Sequence, residues 1–234
     1  MEERTIIVAA ALLLLVGAAA SGQTVASSHQ SAKPLALELR IEGGTPYEQA
    51  CATDTFAATL AFYRELGMAV DATTPCTIRF TRVVTVAGQE MGSVLACFNR
   101  DTSTITMLGA ASWALHELAP FGLEDPDVVY RMILAHEFAH YCNFLLSPGL
   151  HPVIDECIAG YIQFEVLSDR LPKGVPEAEL GMAGLSRLSI IAYANDPQSF
   201  LLAAHSYFRD RRAMLRRCLS GNAPPIKDPF MFDR

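Results

Sequence analysis

The sequence predicts an α+β protein in which a small mixed sheet precedes a helical half. Before residue 109, short runs alternate in polarity or are rich in β-branched residues, as strands are. After residue 110, the apolar residues recur with helical spacing and turn residues separate the segments. Because the strands come first and the helices follow, rather than alternating with them, the pattern favours α+β over α/β.

A strand and a helix are predicted first. Residues 35–42 (LALELRIE) alternate between apolar and polar side chains, and a Gly-Gly-Thr-Pro segment follows them. Thr53 or Asp54 is expected to cap a helix that runs to about Leu66, where Gly67 ends it. One face of this helix carries three large side chains: Phe56, Leu60 and Tyr63.

Three further strands are predicted, two of them as a hairpin. Residues 77–86 (TIRFTRVVTV) are rich in β-branched side chains and predict one strand. Residues 92–98 and 104–108 predict two more. Because residues 99–103 (NRDTS) between them have the composition of a turn, these two strands are expected to pair as a hairpin.

The rest of the chain is predicted to be helical. A short helix is expected over about residues 112–118. A long helix, capped by Asp125 or Asp127, is expected to run to about Leu145, where residues 147–149 (SPG) end it. The remaining helices are expected over about residues 154–168, 177–194 and 197–219.

An uncharged apolar leader precedes the predicted domain. Residues 6–20 (IIVAAALLLLVGAAA) are fewer than the roughly 20 that a spanning helix needs and are typical of a secretory signal. Ala18 and Ala20 form a small-x-small pattern, which places cleavage after Ala20; an uncleaved N-terminal membrane anchor is the alternative. The expected segments are a signal peptide (1–20), a linker (21–34), a folded domain (35–220) and an extended tail (221–234).

Composition narrows the range of partners and the compartment. With 51% hydrophobic and 18% charged residues the chain is globular, and its net charge of −7 speaks against a nucleic-acid partner. The leader predicts a secreted or periplasmic protein. The six cysteines then predict up to three disulfides, with buried free thiols as the alternative. They are Cys51, Cys76, Cys97, Cys142, Cys157 and Cys218.

One motif carries chemistry. Residues 133–142 (ILAHEFAHYC) contain two histidines, His136 and His140, on one face of a predicted helix, where both can bind one Zn²⁺. Glu137 projects beside them and can act as the general base for attack of water on a carbonyl. Because two buried histidines without partners are costly, the apolar context of this helix favours a metal site over a structural pair.

A catalytic zinc needs a third protein ligand and one open position. Residues 151–161 (HPVIDECIAGY) supply three candidates, which are Glu156, His151 and Asp155. Glu156 falls two residues into a helix expected to fold back on the first, so its carboxylate can reach the same metal. His151 also fits a loop histidine, and Asp155 also fits the N-cap of the following helix.

Residues 128–166 resemble the gluzincin metallopeptidases, particularly the small group described as peptidase MA-like. The chain matches the second gluzincin motif at four positions: Pro152, Glu156, Ala159 and Tyr161. It departs from that motif at three: Ile154 replaces Trp, Cys157 replaces Gly, and Gly160 stands where several gluzincins have an acidic residue that supports a ligand histidine. The resemblance implies that Glu156 is the third ligand and that residues 35–220 form a zincin-like fold.

The resemblance also implies a function. We expect a zinc-dependent metallopeptidase in which Glu137 is the general base, and in which an edge strand near residues 92–98 binds a peptide or protein substrate by β-augmentation. Two alternatives stay open, a binding or scaffold protein with little turnover and a metal-dependent hydrolase of a non-peptide amide. Four side chains are candidates for stabilising an oxyanion, although each also fits an ordinary helix residue: Tyr161, Tyr193, His205 and Tyr207.

Overall fold

A computed structural model describes residues 38–70, 74–86, 89–90, 94–113, 120–172, 193 and 195–222 of the chain. Its strands are β1 (Leu39–Glu42), β2 (Cys76–Thr81), β3 (Thr85–Val86), β4 (Gln89–Glu90), β5 (Ala96–Asn99) and β6 (Thr104–Leu108). Its helices are α1 (Pro46–Glu65), α2 (Ala110–Trp113), α3 (Pro126–Leu146), α4 (Pro152–Val166), α5 (Pro197–Arg209) and α6 (Arg212–Arg217). The α+β prediction is confirmed, with a small mixed sheet before a larger helical part.

The first helix begins two turns earlier than the sequence predicted. Thr45 caps α1 in a capping box with Glu48, and Pro46 occupies the first helical turn, so the predicted caps Thr53 and Asp54 lie inside the helix. Glu48 also accepts a hydrogen bond from the backbone N–H of Ala110, which ties α1 to the end of β6. The predicted end of the helix is confirmed, since Gly67 follows it at φ +74°.

The main sheet has the strand order β1-β2-β6-β5. β1 pairs with β2 and β2 with β6 in parallel, whereas β5 and β6 form the predicted antiparallel hairpin. The strand predicted over residues 77–86 ends at Thr81, and β3 pairs instead with β4 in a separate ribbon. β5 therefore lies at the edge of the described sheet, and it packs beside α3.

The helical half packs around α3. Asp125 caps this helix as predicted, and α1, α4 and β5 contact it. α4 begins at Pro152, two residues before the predicted start, because His151 rather than Asp155 is its N-cap. The helix predicted over residues 197–219 divides into α5 and α6 at Asp210 and Arg211.

Several sequence predictions lie outside the described residues. They are the signal peptide (1–20), the linker (21–34), the tail beyond residue 222 and nearly all of the helix predicted over residues 177–194. None of the helices in the described ranges combines the length and apolar character that crossing a bilayer requires.

All six cysteines are buried free thiols in this structure, so none of the predicted disulfides is present. The alternative interpretation, in which they act as small buried hydrophobic residues, describes their environment.

Candidate metal centre

The candidate metal centre lies between α3 and α4. The chain turns back after Leu146, so that α4 packs against α3 and brings Glu156 opposite His136 and His140. These three side chains and Glu137 are buried, with exposed fractions between 2% and 7%. A buried group of two histidines and two carboxylates needs specific partners, because burying charge is costly without them.

Three side chains direct ligand atoms toward a common point. Nε2 of His136 and Nε2 of His140 are 3.0 Å apart. Glu156 places Oε2 3.3 Å from Nε2 of His136, and Oε1 3.6 Å from Nε2 of His140. Ligand atoms that share a tetrahedral ion at 2.0–2.1 Å are about 3.3 Å apart. The structure thus gathers the three predicted ligands into a group that could hold a metal ion.

The second ring nitrogen of each histidine, Nδ1, makes a hydrogen bond to a neighbouring side chain. Nδ1–H of His136 donates to Oε1 of Gln163 at 3.0 Å, and Nδ1–H of His140 donates to Oδ2 of Asp155 at 3.0 Å. Because each ring carries a proton on Nδ1, Nε2 is the atom left to bind a metal.

The residues present fit a bound cation. When both rings carry their proton only on Nδ1, the two Nε2 lone pairs face each other at 3.0 Å, and Oε2 of Glu156 has no hydrogen-bond donor among the described residues. A buried carboxylate oxygen without a partner is unfavourable. A cation at the common point satisfies all three groups together.

The electrostatics of the centre also favour positive charge. Burial lowers the pKa of His140, but the charges of Asp155 and Glu156 outweigh burial and hold this pKa well above its usual range. Burial raises the pKa of Glu156, but the charges and hydrogen bonds of His140 and His136 together outweigh burial and lower this pKa. The raised pKa of His140 reflects the negative potential of the two carboxylates beside its ring, and such a potential attracts a cation.

Glu137 lies beside this group and is not one of its ligands. Burial raises the pKa of its carboxyl group, and the two histidines offset part of that increase. The backbone of Phe98 in β5 also interacts with the carboxylate and lowers its pKa. The edge strand β5, which packs against α3, therefore passes beside the predicted general base.

Of the four predicted oxyanion candidates, the structure brings Tyr193 to the centre. Tyr193 is 2% exposed, and burial together with the charge of the nearby Glu156 raises the pKa of its hydroxyl well above the usual range. Tyr161 stacks on His205, whose Nε2 lies 2.9 Å from Oε1 of Glu165 in a separate cluster between α4 and α5. The fourth candidate, Tyr207, lies on α5 with the guanidinium of Arg211 over its ring.

The two rival third ligands have other roles. Nδ1 of His151 accepts a hydrogen bond from the backbone N–H of Val153 and caps α4. Asp155 is not the N-cap that the sequence suggested, because the helix starts at Pro152. Its carboxylate instead lies on the outer edge of the His140 ring.

Three supporting side chains were not predicted from the sequence: Gln163, Asn143 and Arg100. Gln163 lies two turns after Glu156, and Asn143 lies one turn after His140, so helical periodicity could have placed both near the ligands. Arg100 comes from the turn between β5 and β6, and nothing in the local sequence indicates its partner.

Comparison with known proteins identifies a family but does not indicate an activity. A family model described as "Family of unknown function (DUF6639)" matches residues 39–226. This match covers the described sheet, both metal-centre helices and α5. No curated protein and no solved structure matches the chain.

Proposed function

Because the chain belongs to the DUF6639 family, whose function is unknown, we propose its function from the site itself. The protein is a zinc-dependent peptidase of the gluzincin type, acting on peptide or protein substrates. The observation that carries the proposal is the buried group of His136, His140 and Glu156, with Glu137 adjoining it. A metal that only stabilised the fold would not require this additional buried carboxylate.

The donor set supports zinc as the metal. Two imidazole nitrogens and one carboxylate oxygen, with a further position open, are typical ligands of catalytic zinc. When bound, zinc supplies Lewis acidity, which polarises a carbonyl and lowers the pKa of water. His136 and His140 are oriented for this through their Nδ1–H bonds, and the buried Tyr193 lies near the carboxylate of Glu156.

Glu137 is the group that moves protons. Its carboxylate takes a proton from the attacking water and delivers it to the nitrogen of the leaving amine. Burial supports this role, because a raised pKa brings a carboxyl group closer to the working pH than an exposed glutamate would be. The backbone of Phe98 lies near this carboxylate and lowers its pKa, which places the proposed base beside β5.

The edge strand β5 is the proposed substrate platform. The N–H of Leu108 donates to the carbonyl of Leu95 at 2.8 Å, which fixes the phase of the antiparallel ladder with β6. Backbone groups alternate in such a ladder, so those of Ala96 and Phe98 point away from β6. An extended peptide that pairs with the backbone of Ala96 and the carbonyl of Phe98 lies alongside Glu137, as β-augmentation requires.

The zincin-like description of the fold belongs to the same proposal. The order of elements supports it, since a mixed sheet with β5 at one edge precedes the helix that carries the two histidines, and the next helix carries Glu156. Export to a secreted or periplasmic location is also part of the proposal. It is supported by the apolar leader at residues 6–20, with an N-terminal anchor as the alternative.

The test of this function is the Glu137→Gln variant. It keeps the size of the side chain and removes the proton acceptor. We expect zinc content to stay near one ion per chain, while cleavage of a mixed peptide library falls by ~10²–10⁴. Glu65→Gln, at the exposed end of α1, is the matched control and should cleave like the parent.

Three other outcomes would each contradict part of the proposed function. Full cleavage by a zinc-loaded Glu137→Gln protein would exclude Glu137 as the base. Chelator-sensitive cleavage of non-peptide amides, without cleavage of peptides, would replace the peptidase with an amide hydrolase. A parent protein that binds zinc tightly and turns over neither class would be a binding or scaffold protein.

A further inference from the structure

Asp155 is a buried carboxylate that does not belong to the ligand group. It is 4% exposed and precedes Glu156 in α4. Its oxygens accept three hydrogen bonds, from Nδ1 of His140 at 3.0 Å, Nη2 of Arg100 at 2.7 Å and Nδ2 of Asn143 at 2.8 Å. A buried carboxylate with three donors is held in one orientation, and two of its contacts involve charged or chargeable groups.

Asp155 and Glu156 meet opposite edges of one imidazole ring. Oε1 of Glu156 lies 3.6 Å from Nε2 of His140, whereas Oδ2 of Asp155 lies 3.0 Å from Nδ1. Successive residues of a helix are offset by about 100°, so the two carboxylates cannot exchange places without rotation of α4. Asp155 therefore fixes the proton of His140 on Nδ1 and leaves the Nε2 lone pair for the metal.

The partners of Asp155 come from separate elements. Asn143 lies on α3 one turn after His140, and Tyr63 of α1 donates to its Oδ1. Arg100 lies in the turn of the β5–β6 hairpin and is 39% exposed at its side chain. The orientation of one ligand histidine thus depends on α1, α3, α4 and the hairpin together.

We propose that Asp155 is the positioning residue of the metal ligand His140, and that Arg100 holds Asp155 in place from the β5–β6 turn. Metal affinity is then set partly by the hairpin whose strand β5 also contacts Glu137. This inference concerns metal binding alone, and it stands whether or not the protein cleaves peptides.

Metal titration of Asp155→Asn tests the proposal. The variant keeps the shape of the side chain and weakens acceptance from His140 and Arg100 at the same time. We expect the Kd for Zn²⁺, measured by chelator competition, to rise by ~10–100-fold. We also expect the visible absorption bands of the Co²⁺-loaded protein to shift, because the His140 ring is less well oriented.

The matched control is Asp127→Asn at the start of α3. Asp127 also accepts hydrogen bonds from several elements, through Tyr47, Arg131 and Arg170, but it makes no contact with the ligand group. We expect this variant to lower the Tm while leaving the Kd for Zn²⁺ and the Co²⁺ spectrum unchanged. An equal loss of affinity in both variants would show that general destabilisation is responsible, and would overturn the proposal.

A second variant keeps the test decisive if Asp155→Asn does not fold. Arg100→Lys lies at a partly exposed turn and keeps the positive charge, but it loses the planar guanidinium that binds the carboxylate. We expect its Kd for Zn²⁺ to rise several-fold. Parent-like affinity in Arg100→Lys, or in a folded Asp155→Asn protein, would contradict the proposal.

Discussion

Glu137 and Glu156 are buried beside the same two histidines, yet their pKa values shift in opposite directions. Burial dominates at Glu137 and raises its pKa. At Glu156 burial acts in the same direction, but the combined charges and hydrogen bonds of His140 and His136 outweigh it and lower the pKa. The pKa shift of Glu156 favours the ionised form that a metal ligand needs, whereas the pKa shift of Glu137 favours holding a proton.

The identity of the third ligand is tested by a pair of substitutions. We expect Glu156→Ala to lose zinc affinity by at least ~10–100-fold, because that range is typical even of residues outside the ligand shell. His151→Ala should leave zinc content unchanged, since Nδ1 of His151 caps α4. Equilibrium dialysis with zinc analysis measures both. Loss of zinc from His151→Ala with retention in Glu156→Ala would reject the gluzincin type, although a zinc hydrolase would remain.

At the scale of elements, the contact between α4 and α5 explains one departure from the gluzincin motif. A Cβ atom at Gly160 would lie 2.5 Å from Cδ2 of Leu201 and 3.5 Å from its Cα. No acidic side chain fits there unless the buried side chain of Leu201 moves. The support that such a residue gives a ligand histidine comes here from Asp155 and Gln163, at other positions of the same helix.

The same helix pair contains an ion pair with a testable pH dependence. The hydrogen bond from His205 lowers the pKa of Glu165, and Arg212 adds to the effect. Glu165→Gln should lower the free energy of unfolding by roughly 1–3 kcal/mol at pH 7. A lowered carboxyl pKa stabilises the fold above the unfolded value of about 4.3, and this stabilisation is lost as pH falls through the folded pKa.

Urea unfolding at several pH values measures this effect. The difference between Glu165→Gln and the parent should be largest above about pH 5 and should shrink at lower pH. Glu124→Gln is the control, because Glu124 is exposed and should change stability by no more than about 0.5 kcal/mol. A difference that stays constant down to pH 3 would assign the effect to packing rather than to charge.

How far the sequence predicts an element depends on where its determinants lie. The predicted N-cap Asp125 and the helix predicted after it are confirmed, because capping and periodicity are local signals. The predicted start of α1 was wrong, because Thr45 and Pro46 form a stronger start signal than Thr53, which lies two turns downstream. The motif at His136 and Glu137 is also local, whereas the bond from Arg100 to Asp155 joins residues far apart in the chain.

At the scale of the whole molecule, the sheet is the part that the sequence left undetermined. The β5–β6 hairpin was predicted because its strands adjoin a turn. The parallel pairs β1–β2 and β2–β6 join strands separated by α1 or by other strands, so no turn residue specifies them. Their order is nevertheless what leaves β5 at the edge beside α3, and the proposed function depends on that placement.

The cysteines and the leader together make a prediction about the mature protein. Burial raises the pKa of Cys97 to about 12, and for Cys218 burial outweighs the nearby Arg217 and raises the pKa to about 11. Thiols that rarely ionise react slowly with oxidants, so an exported chain can keep them reduced once it has folded. Export and the absence of disulfides are therefore compatible.

Mass spectrometry of the protein from its native host tests both points in one measurement. We expect an N-terminus near Ser21, because the small-x-small pattern places cleavage after Ala20. Alkylation without reductant should leave the folded protein nearly unmodified and should label six thiols after denaturation. Fewer labelled thiols, with the mass lowered by about 2 Da per missing pair, would show that disulfides form on export. A full-length chain in the cytosol would instead reject export, while the buried metal centre would be unaffected.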